Sequence, residues 1–176
     1  MPSASLFGVW GVFWIIGYLA MWWSVKDQPV YTGPHLWAIA ITGALGAIAL
    51  AVTIVVVTGA VRGISGDSVR AGMYYSLTWP IAFVAAQLLV GGLARLDASD
   101  EVLGLVAALL PALVVAPIYC VSAAIWGQPA FFIAGALLAG SVAVGAFLGP
   151  VDALLAIALI GGLGSVLATA MTWRSG

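Results

Sequence analysis

Charged side chains divide this chain into long apolar stretches. Asp, Glu, Lys and Arg are absent from residues 1–25, 28–61, 71–94, 102–151 and 153–173, which are rich in Ala, Val, Leu, Ile and Gly. A helix of about 20 residues crosses the hydrocarbon core of a bilayer, which is roughly 30 Å thick, and each stretch is long enough to do so. The pattern therefore predicts an all-α, polytopic integral membrane protein.

The stretch over residues 102–151 is too long for one crossing, because a single helix of that length would extend about 75 Å. Gly127-Gln128-Pro129 provides a turn, and Trp126 beside it is a typical interfacial anchor. The sequence thus predicts one domain over residues 1–176, a bundle of six transmembrane helices with short loops. The predicted spans are about 5–24, 36–60, 71–94, 102–126, 129–149 and 151–173.

Composition supports the same class of protein and excludes others. Charged residues make up 6% of the chain and hydrophobic residues 64%, whereas an average soluble domain is about 25% charged. A net charge of −1 with five basic residues gives no electrostatic footprint for nucleic acid. Membrane lipids are the expected surroundings, and the single cysteine, Cys120, has no partner for an internal disulfide.

The sequence carries no pattern typical of catalysis. No acidic residue lies in the interior of a predicted span, which disfavours proton-coupled transport. Neither a nucleophile with a nearby base nor a metal-binding motif is present within one helix. We therefore expect no enzyme activity, no cofactor and no metal.

The third predicted helix has the densest set of polar residues. At 100° per residue, Ser76, Pro80 and Gln87 lie within about 60° of one another. Pro80 has no N–H to donate to the carbonyl of Ser76, and Gln87 lies roughly 10 Å further along the same face. One hypothesis is a path for a small polar solute, and the other is a proline kink with a Gln side chain that bonds to a neighbouring helix.

Aromatic residues suggest a second feature of the same path. Trp14 and Trp79 both fall near the middle of predicted spans, whereas Trp usually favours the membrane interface. If the first helix faces the third, Trp14, Tyr18, Tyr75 and Trp79 would wall an aromatic constriction. The alternative is that these rings fill the core or face lipid.

Proline and glycine mark two further features. Pro111 and Pro117 are predicted, with Pro80, to break their helices and free backbone carbonyls. Gly145 and Gly149 have the spacing of a close helix contact, either within the chain or between copies.

These observations leave two functions open. The first is a channel or facilitator-type transporter for a small neutral or weakly polar solute, with a path lined by the first, third and fourth helices. The second is a non-catalytic structural or regulatory subunit that docks onto another membrane protein or self-assembles as a homo-oligomer, with a hydrophobic ligand as a variant.

The distribution of basic residues indicates an orientation. Six spans place both termini on one side, and a cytoplasmic placement leaves Arg62, Arg70 and Arg174 inside against Lys26 and Arg95 outside. We expect a bacterial inner membrane, because the loops are brief and the first span does not resemble a cleaved signal.

Overall fold

A computed structural model describes residues 2–60 and 67–174, without the side chains of 2, 3, 57, 60 and 67–72. Over this part of the chain the structure is helical apart from short connections, and it contains no strand. The all-α prediction is thus confirmed for the described residues. Five helices are long and apolar enough to cross a membrane, which is consistent with an integral membrane location.

The helices follow the apolar stretches of the sequence. Helix α1 runs over residues 2–25 as Pro2–Val12, a π-helical turn Phe13–Gly17, and Tyr18–Val25. It is followed by α2 (Leu36–Ala60), α3 (Asp67–Arg95) and α4 (Asp100–Trp126). The last helical segment, Pro129–Arg174, contains 46 residues and is divided by a kink into α5, residues 129–148, and α6, residues 150–174. Residues 61–66, which hold the predicted loop after α2 and Arg62, lie outside the described residues.

The kink between α5 and α6 occurs at Gly149. Its backbone has φ 84° and ψ 175°, a conformation that side-chain-bearing residues rarely adopt. Pro150 reinforces the break, because proline pushes the preceding residue away from helical geometry. Gly149 and Pro150 therefore reverse the chain.

Helices α5 and α6 fold back on each other. A Cβ atom at Gly164 would lie 3.3 Å from the Ala134 Cα, and one at Gly145 would lie 3.2 Å from the Ala153 Cα. Residue numbers rise along one helix as they fall along the other, so the pair is antiparallel. Gly161 also packs against the side chain of Leu138.

The other packed helix pairs of the bundle are antiparallel as well. Helix α1 packs antiparallel to α2, to α4 and to α6, and α4 packs antiparallel to α3 and to α5. Gly8 approaches Thr169, which brings the first turns of α1 beside the last turns of α6.

Helices α1, α4, α5 and α6 form the core of the bundle. The largest fully buried apolar side chains are on these helices: Phe7, Trp14, Tyr18, Val25, Val115, Leu138, Leu154 and Ile157. Helices α2 and α3 lie outside, α2 against α1 and α3 against α4. In the most apolar 18 residues of each of these two outer helices, 6% of the residues are buried. The corresponding share is 28% for α1, for α4 and for the segment Pro129–Arg174.

Two π-helical turns were not predicted from the sequence. Phe13–Gly17 in α1 contacts Ile157–Gly161 in α6, and both turns end in glycine. By contrast, α3 and α4 stay helical through Pro80, Pro111 and Pro117. A proline removes one donor from the helix, and the flanking turns keep their own hydrogen bonds.

Candidate functional site

The four aromatic residues expected to form a constriction belong to two separate clusters. Trp14 and Tyr18 lie in an α1 cluster with Trp10 and Phe13, and the Trp14 and Tyr18 ring centroids are 5.4 Å apart. A second cluster joins α3, α4 and α5 with the tip of α1. Its members are Phe7, Tyr75, Trp79, Phe83, Tyr119, Trp126 and Phe131.

The α1 cluster fills the centre of the bundle. Trp14 is 1% exposed and Tyr18 is 2% exposed. The Tyr18 hydroxyl donates to the carbonyl oxygen of Ala108 on α4 at 3.2 Å. The Trp14 Nε1 and the Ser165 Oγ are buried and have no hydrogen-bond partner among the described residues. An unpaired buried donor such as the Trp14 Nε1 costs about 1–3 kcal/mol. The Trp14 and Tyr18 rings are packed side chains of the core.

The second cluster contains a partly buried polar pair between α3 and α4. The Tyr75 hydroxyl and the Ser122 Oγ are 2.8 Å apart, and the Ser122 Oγ donates to the carbonyl of Ile118 at 2.6 Å. A serine hydroxyl has one hydrogen, so the Tyr75 hydroxyl is the donor in the first bond. The Trp79 ring packs edge-on against Tyr119, with centroids 6.1 Å apart. This pair and its aromatic neighbours fix α3 onto α4.

The polar stripe of α3 lies on a different face from these aromatics. Ser76, Pro80 and Gln87 are exposed, whereas Tyr75 and Trp79 are partly buried against α4. The structure therefore brings Tyr75 and Trp79 together, and separately Trp14 and Tyr18. It does not gather all seven predicted path residues around one axis.

Gln87 occupies an unusual environment for a polar residue. It lies three residues from the midpoint of the candidate membrane span Met73–Arg95, or about 4.5 Å along the helix. Its side chain is exposed and makes no hydrogen bond with any of the described residues. In a helix that spans a bilayer, a residue this close to the midpoint has no water available to bond its amide.

The two glycines expected to form a helix contact have different roles. Gly145 is buried within the chain, where a Cβ would lie 2.8 Å from the Leu109 Cδ2. Gly149 forms the chain reversal, and no atom lies within 4 Å of its Cβ position. Gly145 thus packs inside the bundle, and Gly149 acts through its backbone conformation.

Sequence reasoning missed two contacts that tie the helices and loops together. The Thr42 Oγ1 on α2 lies 3.0 Å from the carbonyl oxygen of Gly17, in the π-helical turn of α1, and 2.9 Å from the carbonyl oxygen of Ala38 on its own helix, so the two acceptors share its one hydrogen. Tyr31, in the loop after α1, lies directly over Gly104 at the start of α4. The signal for the second contact was a glycine in an otherwise bulky first turn, but the sequence does not show which ring would cover it.

Burial raises the pKa of the Tyr31 hydroxyl above its ordinary value of 10.0, and the nearby carboxylate of Asp100 raises it further. Lys26 pairs with Asp27 at 2.6 Å and lies over the Trp23 ring at 4.4 Å from its centroid. This end of the bundle has the aromatic and charged residues typical of a membrane interface. Among the described residues, no group of three or more His, Cys, Asp or Glu could hold a metal ion.

A shallow apolar groove of about 210 Å³ runs between α1 and α6. It is lined by residues that include Phe7, Gly8, Gly11, Val166 and Thr169. Its surface would suit a hydrocarbon chain, as expected for the outside of a membrane protein.

Comparison with known proteins found no matching family model, no matching curated protein and no matching solved structure. The case for a function therefore depends on the residues and their placement.

Proposed function

We propose that this chain is a non-catalytic integral membrane protein that acts as a structural or regulatory subunit, assembling with another membrane protein or with copies of itself. The observation that carries this proposal is Gln87, whose amide is exposed and unpaired at mid-depth on an outer helix. A polar amide in hydrocarbon is unfavourable unless it finds a hydrogen-bond partner, and neighbouring helices are the usual source. The low burial of α2 and α3 leaves room for such a helix.

The proposed topology has six membrane crossings. Support comes from the antiparallel packing of α5 on α6 and from the reversal at Gly149, since 46 residues would extend about 69 Å as one straight helix. With six crossings both termini lie on one side of the membrane. The excess of Arg residues on that side favours the cytoplasm, and short loops suit a bacterial inner membrane.

Native mass spectrometry of the tagged protein, released from the membrane in which it is made, tests the proposed role. The expected result is a complex heavier than the 17.9 kDa of one chain, containing either further copies or a second membrane protein. A mass of one chain only, under conditions that preserve a known membrane complex as a control, would refute the proposal.

A second candidate is a channel or facilitator for a small neutral or weakly polar solute. The observation that favours it is the partly buried Tyr75–Ser122 pair between α3 and α4, which puts hydroxyl groups beside Trp79. Its test is flux into liposomes by purified protein. Trp79→Ala should alter the flux without unfolding the protein, whereas Gln87→Leu, on another face of α3, should leave it unchanged. Unchanged flux in Trp79→Ala would remove this path.

A further inference from the structure

We propose that the partner of α3 is a second copy of this chain, an inference that rests on the proposed role as an assembly subunit. In this dimer the two α3 helices pack side by side, and the Gln87 amide of each copy hydrogen-bonds to the same amide of the other. The contact surface, called here the α3 stripe, consists of Pro80, Val84, Gln87 and Gly91.

The α3 stripe has the spacing of a helix-packing surface. Its residues are separated by four, three and four positions, so they lie within about 60° of one another on the helix. All four are exposed, and Val84 is 59% exposed. No atom lies within 4 Å of the Cβ position of Gly91, so another helix has open space to approach closely there.

The stripe is free because α3 uses a different face to bind its own chain. Tyr75, Trp79, Phe83 and Ala86 are at least partly buried, and Tyr75 and Trp79 contact α4 directly. The centre of this inner face lies about 115° around the helix from the centre of the α3 stripe. A second helix therefore fits against the stripe without displacing α4.

The depth of Gln87 in the bilayer means that its amide needs a partner on a neighbouring transmembrane helix. The headgroup region begins about 15 Å from the bilayer centre, whereas Gln87 lies about 4.5 Å from the midpoint of its span. The side chain is too short to reach water from there. Its amide needs a donor and an acceptor on a neighbouring helix.

A second copy meets this need by symmetry. All copies insert with the same orientation, so a two-fold axis along the membrane normal places identical residues at identical depths. A glutamine amide carries both a donor and an acceptor, so two Gln87 side chains facing each other across that axis satisfy one another. The remaining residues of the stripe are apolar, which adds packing but no second polar requirement.

Disulfide trapping in liposomes tests which face is in contact. In a Cys120→Ala background, Val84→Cys lies on the α3 stripe, and Leu89→Cys is the matched control, about 170° around the same helix from the centre of the stripe. The two native residues are 59% and 52% exposed, so both sites are accessible. With the lipid-soluble oxidant copper phenanthroline, Val84→Cys should form a covalent dimer of twice 17.9 kDa, and Leu89→Cys should remain a single chain.

Energy transfer between donor- and acceptor-labelled copies tests the amide itself. Gln87→Leu should weaken dimerisation about 5- to 30-fold across a series of lipid dilutions. Thr78→Val is the matched control, because Thr78 is also an exposed polar residue of α3 but donates to its own Tyr74 carbonyl at 3.0 Å. It should leave dimerisation unchanged.

The outcomes separate this inference from the proposed function. Equal trapping of both cysteine variants, or an unchanged association of Gln87→Leu, would overturn the Gln87 pairing. If the purified chain is then a monomer in liposomes but is heavier than one chain when released from its native membrane, the subunit role stands and the second copy is wrong. A monomer both in liposomes and after release from the native membrane would refute the Gln87 dimer and the subunit role together.

Discussion

The packing of α4 against α5 gives the sharpest test of the fold, through two glycines on the same helix. At Gly135, a Cβ would lie 2.7 Å from the carbonyl oxygen of Ala116 and 2.8 Å from the Cys120 Sγ. At Gly140, no atom lies within 4 Å of the Cβ position. Gly135→Ala therefore forces backbone to move, whereas Gly140→Ala adds a methyl group in open space.

The expected magnitude follows from comparing the two variants. Replacing a mid-helix Gly with Ala favours the helix by about 0.5–1 kcal/mol at either site. Overpacking against a backbone atom costs about 1–3 kcal/mol, and this term applies at Gly135 alone. The helix term cancels in the comparison, so Gly135→Ala should be less stable than Gly140→Ala by about 1–3 kcal/mol.

Thermal unfolding in detergent micelles, followed by circular dichroism, measures this difference. For a chain of this size, 1 kcal/mol corresponds to about 2–4 °C in Tm, so Gly135→Ala should unfold about 2–12 °C below Gly140→Ala. Equal Tm values for the two variants would refute the close contact of α4 and α5 at Gly135.

Two further predictions concern contacts that the sequence did not reveal. Thr42→Val removes the hydroxyl whose hydrogen is shared by the Gly17 and Ala38 carbonyls, and should lower the free energy of unfolding by about 0.5–1.5 kcal/mol in the same assay. Because burial and Asp100 raise the pKa of Tyr31, the folded state favours its neutral form, and stability is lost as the pH rises above 10.0. Tyr31→Phe should remove that part of the loss, seen as Tm curves that match the wild type below this pH and separate above it.

The helices and their connections could be predicted because both depend on local properties. Long charge-free stretches fix where helices form in a bilayer, since every backbone group must be satisfied within the segment. The Gly149-Pro150 pair encodes the break in Pro129–Arg174, because proline disfavours a helical residue before it and glycine tolerates a positive φ.

The faces of the helices could not be predicted because nearly every position is apolar. In a soluble protein, polar residues mark the outside of a helix, but here lipid and core favour the same side chains. Trp14 and Trp79 both lie near the middle of a span, yet their surroundings differ. Trp14 is fully buried in the core, whereas Trp79 is partly buried and packs edge-on against Tyr119 of α4. For the same reason Gln87 could not be assigned to the interior or the surface.

The two π-helical turns were also beyond the sequence. Phe13–Gly17 and Ile157–Gly161 contact each other, so their geometry depends on a partner about 140 positions away in the chain. Gly17 is a visible local signal, but glycine is common throughout this protein.

Labelling of single cysteines in sealed membrane vesicles tests the proposed topology most directly. In a Cys120→Ala background, Gln128→Cys marks the connection before α5 and Asp152→Cys marks the first turn of α6, directly after the chain reversal, and both native residues are exposed. A membrane-impermeant maleimide should label Gln128→Cys from the cytoplasmic side and Asp152→Cys from the opposite side. Labelling of both from one side would mean that α5 does not cross the membrane, and would contradict the six-crossing bundle.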